Sequence, residues 1–278
     1  MKIDLCYKLL SSFLIISLNS NAQIQWECLE LGLWFASTPL PTKSSHGDSK
    51  VSILKIDPSK FNFRLVLATE NDLKKKPLDG WCKEKNLLAG INAGMFHGQT
   101  QHPGWKGIVN GGYTRNFTHI QHPEFTEDQD FIVFNPKNSK LPPIQILDKT
   151  CQDARGIMDQ YHSVVQGIRI IDCHQKVIWE RNERKFSMCI LCTDTEGNCL
   201  FVHCRSPYQV HDFMSQLLKL VPTINRAIYL EGGLLSSFYL HTKAKKISLM
   251  GSYQTRYREN DTNKKFGNIP NVIGIQRK

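Results

Sequence analysis

The chain has 278 residues, a formal net charge of +10 and nine cysteines. Hydrophobic residues make up 41% and charged residues 22%, so it can bury a full core and is neither disordered nor collagen-like. It is too long and too poor in cysteine for a disulfide-stapled miniprotein, and beyond the N-terminus no apolar run is long enough to span a bilayer.

Residues 1–22 read as a secretory signal peptide. Lys2 and Lys8 lead into the apolar stretch Leu9–Leu18, and Ser20-Asn21-Ala22 puts small residues at the cleavage point. The expected location is therefore exported, periplasmic or extracellular. Without Cys6, the remaining cysteines are Cys28, Cys82, Cys151, Cys173, Cys189, Cys192, Cys199 and Cys204. An even number in an oxidising compartment permits disulfides but does not give their pairing, and free buried thiols are the alternative.

Val51–Ile56 and Phe61–Ala68 alternate on either side of Asp57-Pro58-Ser59, as two strands around a turn do. Lys74-Lys75-Lys76-Pro77 reads as a solvated loop. Leu87–Ile91 reads as a short buried strand running into Asn92-Ala93-Gly94-Met95-Phe96. Residues 97–130, rich in Gly, His, Asn and Thr, read as a long loop of the kind that carries function. Phe131–Phe134, Val164–Ile171 and Val177–Trp179 read as further strands.

The clearest pattern follows. Lys185–Thr193 and Cys199–Cys204 form a hairpin about Asp194-Thr195-Glu196-Gly197-Asn198. Ser206 offers an N-cap and Pro207 suits a first helical turn. Val210, Phe213, Met214, Leu217, Leu218 and Val221 then make one apolar helical face, ended by Pro222. Arg226–Leu230 is the next strand. The expected fold class is α+β: a mixed β-sheet core with a βαβ crossover (strand 199–204, helix 207–221, strand 226–230) and flanking helices, forming a single domain over 23–278.

In such a crossover the two strands end on one sheet edge, where ligands of α/β sheets bind. Arg205 follows one strand, and Glu231-Gly232-Gly233 closes the other. A guanidinium, a carboxylate, a glycine turn and a helix N-terminus suit a phosphate or other anion. The plainer alternative is that Arg205 pairs with Glu231 and closes the edge. Cys189, Cys192, Cys199 and Cys204 look like a zinc quartet, but strand alternation places two on each face. Cys192 is instead expected opposite Cys199 across the hairpin. His97, His102, His119 and His122 lack an acidic partner at metal-site spacing, so neither metal nor cofactor is expected. Alternation also sets Cys204 and His203 on opposite faces, which is wrong for a dyad. The scattered lysines lack aromatic interleaving, which argues against nucleic acid.

Several motifs in order resemble the phosphodiester glycosidase family, over roughly residues 45–278. They are Ile91-Asn92-Ala93-Gly94-Met95-Phe96, Pro103-Gly104-Trp105-Lys106-Gly107, Gln166-Gly167, and Ala227-Ile228-Tyr229-Leu230-Glu231-Gly232-Gly233 with Ser236-Ser237. A bacterial exported subgroup is similar through His203-Cys204-Arg205-Ser206-Pro207-Tyr208, Leu249-Met250-Gly251-Ser252-Tyr253 and Ile269-Pro270-Asn271-Val272-Ile273-Gly274. Glu231 stands where the family has Asp, and Leu234-Leu235 widens the gap before Ser236. The resemblance implies hydrolysis of a sugar-1-phosphodiester in exported or envelope glycans. It implies Glu231 as base or nucleophile and His97 as a second catalytic group. Asn92, Gln166, Arg205, Gly232, Gly233 and Ser236 would hold the substrate. The alternative is a non-catalytic envelope module that binds phosphorylated or anionic glycans.

Overall fold

Strand after strand of this chain buries both faces, and two stacked sheets satisfy that pattern. A computed structural model describes residues 24–96, 106–126 and 129–278. In chain order the strands are β1 (Glu27–Glu30), β2 (Leu33–Pro39), β3 (Lys50–Ile56), β4 (Phe61–Leu67), β5 (Ala89–Asn92), β6 (Thr114–Asn116), β7 (His119–His122) and β8 (Gln129–Pro136). They continue as β9 (Ile144–Leu147), β10 (Tyr161–Ile171), β11 (Phe186–Asp194), β12 (Cys199–Tyr208), β13 (Ile224–Gly232), β14 (Ser237–His241), β15 (Lys246–Met250) and β16 (Asn271–Arg277). The helices are α1 (Leu78–Glu84), α2 (Ala154–Met158) and α3 (Val210–Leu220).

The large sheet runs β1-β2-β3-β12-β11-β13-β10-β6-β7, with β8 also paired to β10 and β9 to β8. The small sheet runs β15-β14-β5-β16-β4. One core cluster lies between them, with Leu54, Phe201 and Leu191 from the large sheet meeting Phe63, Ile91 and Phe238 from the small one. α3 covers the outer face of the large sheet, burying Val210, Phe213, Met214 and Leu217 against Ile190, Val202 and Tyr229. α1 covers the outer face of the small sheet with Leu78 and Trp81.

The expected α+β fold with a mixed sheet and flanking helices is overturned. The strand pairs described are antiparallel, and the described helices are short. The crossover reading took the strands before and after the helix as neighbours. The hairpin partner β11 lies between β12 and β13 and pairs antiparallel with both. The helix also starts later than expected: β12 continues through Ser206 and Pro207 to Tyr208, and Gln209 occupies the N-cap. Ser206 accepts instead from the Ser49 backbone N–H at 2.8 Å.

Smaller corrections follow. The supposed loop of 97–130 contains the hairpin β6–β7. Val177 makes an isolated bridge to Ile171 rather than a strand. Cys199 lies opposite Thr193, not Cys192. Cys189 and Cys199 face the inter-sheet core while Cys192 and Cys204 face α3, so the four thiols do not converge. Cys151 and Cys173 form a disulfide that ties the loop before α2 to the end of β10.

Candidate active site

The end of β13 passes through Glu231 and Gly232 into a tight turn over Gly233–Leu235 and then into β14. Gly233 adopts φ +67°, a conformation that glycine reaches without steric cost. Asn92, wholly buried at the end of β5, fixes this turn from the strand next to β14. Its Oδ1 accepts from the Ser237 N–H at 2.8 Å, and its Nδ2 donates to the Leu235 carbonyl at 3.0 Å. The Ser236 hydroxyl donates to the Gly233 carbonyl at 2.9 Å.

A second layer holds the turn from outside. The Gly251 N–H donates to the Ser236 carbonyl at 2.7 Å. The approach is so close that a Cβ on Gly251 would lie 1.9 Å from the Gly233 carbonyl oxygen. The Ser187 hydroxyl accepts from the Ser252 and Tyr253 N–H groups at 2.9 and 3.0 Å and donates to the Arg205 carbonyl.

Arg205 is the tie beneath that loop. Its guanidinium donates to the carbonyls of Met250 at 2.8 Å and Asn263 at 2.7 Å, and it pairs with the Asp261 carboxylate. It therefore neither pairs with Glu231 nor presents a free fork to a phosphate, and its position is that of a residue that fixes the 250–263 loop.

Glu231 is 8% exposed, and the hydrogen bond described for its carboxylate is from the Gly232 N–H at 2.8 Å. Burial raises its pKa from 4.5 to about 8, against the modest pull of that hydrogen bond. At neutral pH the carboxyl holds its proton. The raised pKa favours the neutral form, whereas a base or nucleophile acts as the ionised one.

Register places two further titratable groups in line with it, Cys189 on the next strand and His203 one strand beyond. His203 of β12 lies opposite Cys189 of β11, which lies opposite Glu231 of β13. Cross-strand partners share a face, and Cys189 faces the inter-sheet core, so the three form a row on that side. His203 is 2% exposed, and its Nε2 has no hydrogen-bond partner among the described residues. Burial drives its pKa down to about 3, Arg205 adds to that, and the Ser236 backbone opposes it. Burial likewise keeps the Cys189 thiol protonated. The row is thus a neutral imidazole, a neutral thiol and a neutral carboxyl.

Among the residues expected from the sequence, the structure brings together Asn92, Arg205, Glu231, Gly232, Gly233 and Ser236. Gln166 lies apart. Its amide accepts from the N–H groups of Tyr113 and Thr126 and donates to the carbonyls of Thr126 and Gln129. Its neighbour Val165 faces the inter-sheet core, so Gln166 faces the other side. His97 lies outside the described residues. Sequence reasoning does not place His203 in the row with Glu231, although hairpin register sets it opposite Cys189. Cys151, Cys173 and His174 cluster at metal-like distances, but their two sulfurs are joined in the disulfide and cannot bind as thiolates.

A sequence model of the phosphodiester glycosidase family matches residues 85–276, a span that holds every residue of this site. The chain belongs to that family. Its members are hydrolases of phosphodiester-linked sugars. A search of the curated proteins returns no match. Among solved structures, a hypothetical protein from Synechocystis superposes with a TM-score of 0.61 at 12% identity over 93% of this chain. This chain spans 64% of that protein's length. The zebrafish N-acetylglucosamine-1-phosphodiester α-N-acetylglucosaminidase catalytic domain, auto-inhibited by its pro-peptide, superposes with a TM-score of 0.60 at 11% identity. That match covers 92% of this chain and 88% of the zebrafish chain. At such identities the likeness is one of fold.

Proposed function

We propose that this chain hydrolyses the bond between the anomeric carbon of a sugar and a phosphodiester, with Glu231 as the proton donor. The observation that carries the reading is the buried carboxyl at the end of β13, whose pKa burial raises, inside the family-matched segment. Water attacks the anomeric carbon, and the bond from that carbon to the phosphate oxygen breaks. Glu231 gives its proton to the departing oxygen, and the proton released by the attacking water restores it through solvent. A neutral carboxyl also accepts an anionic phosphate without the repulsion an ionised one would impose. The substrate is a glycan of the exported or envelope compartment, a reading supported by the leader-like residues 1–22 and by the Cys151–Cys173 disulfide.

The test is the pH profile of kcat/KM on a sugar-1-phosphodiester, with release of free sugar measured. Activity is expected to fall on the alkaline side with a midpoint near pH 8. Glu231→Gln protein should lose at least about 100-fold in turnover, and full turnover in that variant would end the assignment. A second reading is a binding module without turnover. It is favoured by one observation, that Asp261 and backbone carbonyls already occupy the Arg205 guanidinium. Saturable binding of the diester without sugar release would establish it.

A further inference from the structure

Asn271 opens β16 and is wholly buried, followed in that strand by the apolar Val272 and Ile273. An apolar side chain would pack there at no polar cost, so a buried amide has to be explained by what it binds. Its backbone carbonyl accepts from the Ala93 N–H at 3.1 Å. Its Oδ1 accepts from Gln121 Nε2 at 3.0 Å, and its Nδ2 donates to Asn110 Oδ1 at 2.6 Å and to the Ile108 carbonyl at 3.1 Å.

The network continues from one sheet to the other. Asn110 Nδ2 donates to the Thr114 hydroxyl at 2.9 Å, which donates to the Gly112 carbonyl at 3.1 Å. The Asn110 N–H donates to Gln121 Oε1 at 3.3 Å. Thr114 of β6 and Gln121 of β7 belong to the large sheet, and Asn271 belongs to the small one. Asn110, Thr114 and Gln121 are buried as well. Each side-chain amide atom of Asn110, Gln121 and Asn271 thus makes a hydrogen bond. A buried network satisfied in this way fixes one arrangement of the backbone that it joins.

Two paths lead from Asn271 to the Glu231 turn. Within the small sheet, Val272 lies opposite Asn92, and the bond to Ala93 holds the residue that follows Asn92, whose amide grips Leu235 and Ser237. Beyond the end of β5, Phe96 bridges to Asn110, and the Gly111 N–H donates to the Met95 carbonyl at 2.9 Å. Phe96, Ile108 and Leu235 then join one apolar cluster with Leu78 and Trp81 of α1. The Gly233–Leu235 turn therefore rests on two segments, 92–96 and 108–111, that Asn271 holds together.

We infer that Asn271 is a positioning residue for the glycosidase site, holding the 92–96 and 108–111 segments on which the Glu231 turn rests. It acts through Asn92 and Leu235 and need not touch substrate. The inference rests on Glu231 as the working carboxyl of the hydrolytic reading, but its test does not depend on turnover. Removing the Asn271 amide loosens the turn, admits water to the Glu231 carboxyl and weakens the burial that raises its pKa. A residue that only stabilised the fold would leave that carboxyl unchanged in the molecules that stay folded.

The test is a titration of Glu231 in the full chain, read from the NMR shift of its side-chain carboxyl carbon under conditions where urea unfolding shows each protein folded. The parent should titrate near pH 8, and Asn271→Ala at least about one pH unit lower. Gln121→Met removes one partner of the Asn271 amide. It should move the midpoint the same way, which covers the case that Asn271→Ala folds poorly. Leu217→Ala opens a cavity under α3, destabilises the chain by a comparable amount and should leave the midpoint in place. Sugar release per folded molecule should fall at least about tenfold in Asn271→Ala. A parent that titrates near pH 8 but releases no sugar ends the hydrolytic reading and leaves Asn271 as the residue that positions the turn. Four results would overturn the inference. They are folded Asn271→Ala and Gln121→Met within about 0.2 pH unit of the parent, an equal shift in Leu217→Ala, sugar release by folded Asn271→Ala within about twofold of an active parent, or a parent midpoint already near the ordinary 4.5.

Discussion

A carboxyl whose pKa rises from 4.5 in the unfolded chain to about 8 in the folded one makes stability depend on pH. The folded state holds a proton that the unfolded state has released throughout that window. Its contribution is intact below about pH 4.5 and is lost as pH rises towards 8, at about 1.4 kcal/mol per pH unit. Over the whole window this amounts to a loss on the order of 5 kcal/mol, comparable to the total stability of many domains.

Glu231→Gln removes the titration while keeping a neutral side chain of the same shape. Urea unfolding of both proteins should be followed by tryptophan fluorescence at steps from pH 4.5 to 8, with the fully buried Trp81 as one reporter. The stability of the variant relative to the parent should climb steadily with pH and level off above 8. The comparison cancels every other titrating group, including Asp130, whose pKa burial raises to about 6. It also cancels any fixed cost of the amide. Parallel stability curves for the two proteins would refute the buried, uncompensated carboxyl and the proton-donor role with it.

Gly251→Ala should destabilise by about 2–4 kcal/mol, because the new Cβ would collide with the Gly233 carbonyl; a change within about 0.5 kcal/mol in urea unfolding would contradict the close approach. Asn92→Ala strips the buried Ser237 N–H and Leu235 carbonyl of their partners and should cost about 2–4 kcal/mol. Asn92→Asp keeps the acceptor but not the donor, so an equal loss in both variants would show that only the Leu235 contact matters.

Much of the strand content was legible in the sequence because alternation and turn residues are local signals. β3, β4 and the β11–β12 hairpin lie within a few residues of their expected bounds. What misled was the apolar helix between two strands, since that pattern reads as a parallel crossover. Nothing local says that β11 will sit between β12 and β13. The C-terminal strands β14 to β16 were not expected, because a chain segment gains its small-sheet partners only once β5 and β4 are folded beside it. At the site, the glycines point to a turn, but the tie from Asn92 of β5 to Ser237 of the neighbouring small-sheet strand β14 is a tertiary fact.

His203 is the instructive miss. Alternation sets it on the face opposite Cys204, away from a dyad. The Asp194–Asn198 turn that fixed the hairpin also fixed His203 opposite Cys189, on the face where Glu231 arrives from the other side. The consequence is testable. Its pKa falls from 6.5 to about 3 on folding, so the folded state binds fewer protons than the unfolded one in that window. The stability it contributes is complete above about pH 6.5 and is lost as pH falls towards 3, opposite in sign to Glu231. Between about pH 4.5 and 6.5 the two trends oppose each other. His203→Asn should therefore flatten the acid side of the stability profile by about 1.4 kcal/mol per pH unit, while Glu231→Gln flattens the alkaline side. An acid limb unchanged by His203→Asn would mean that the imidazole is solvated, and that the inter-sheet row beside Glu231 is open to water in the resting protein.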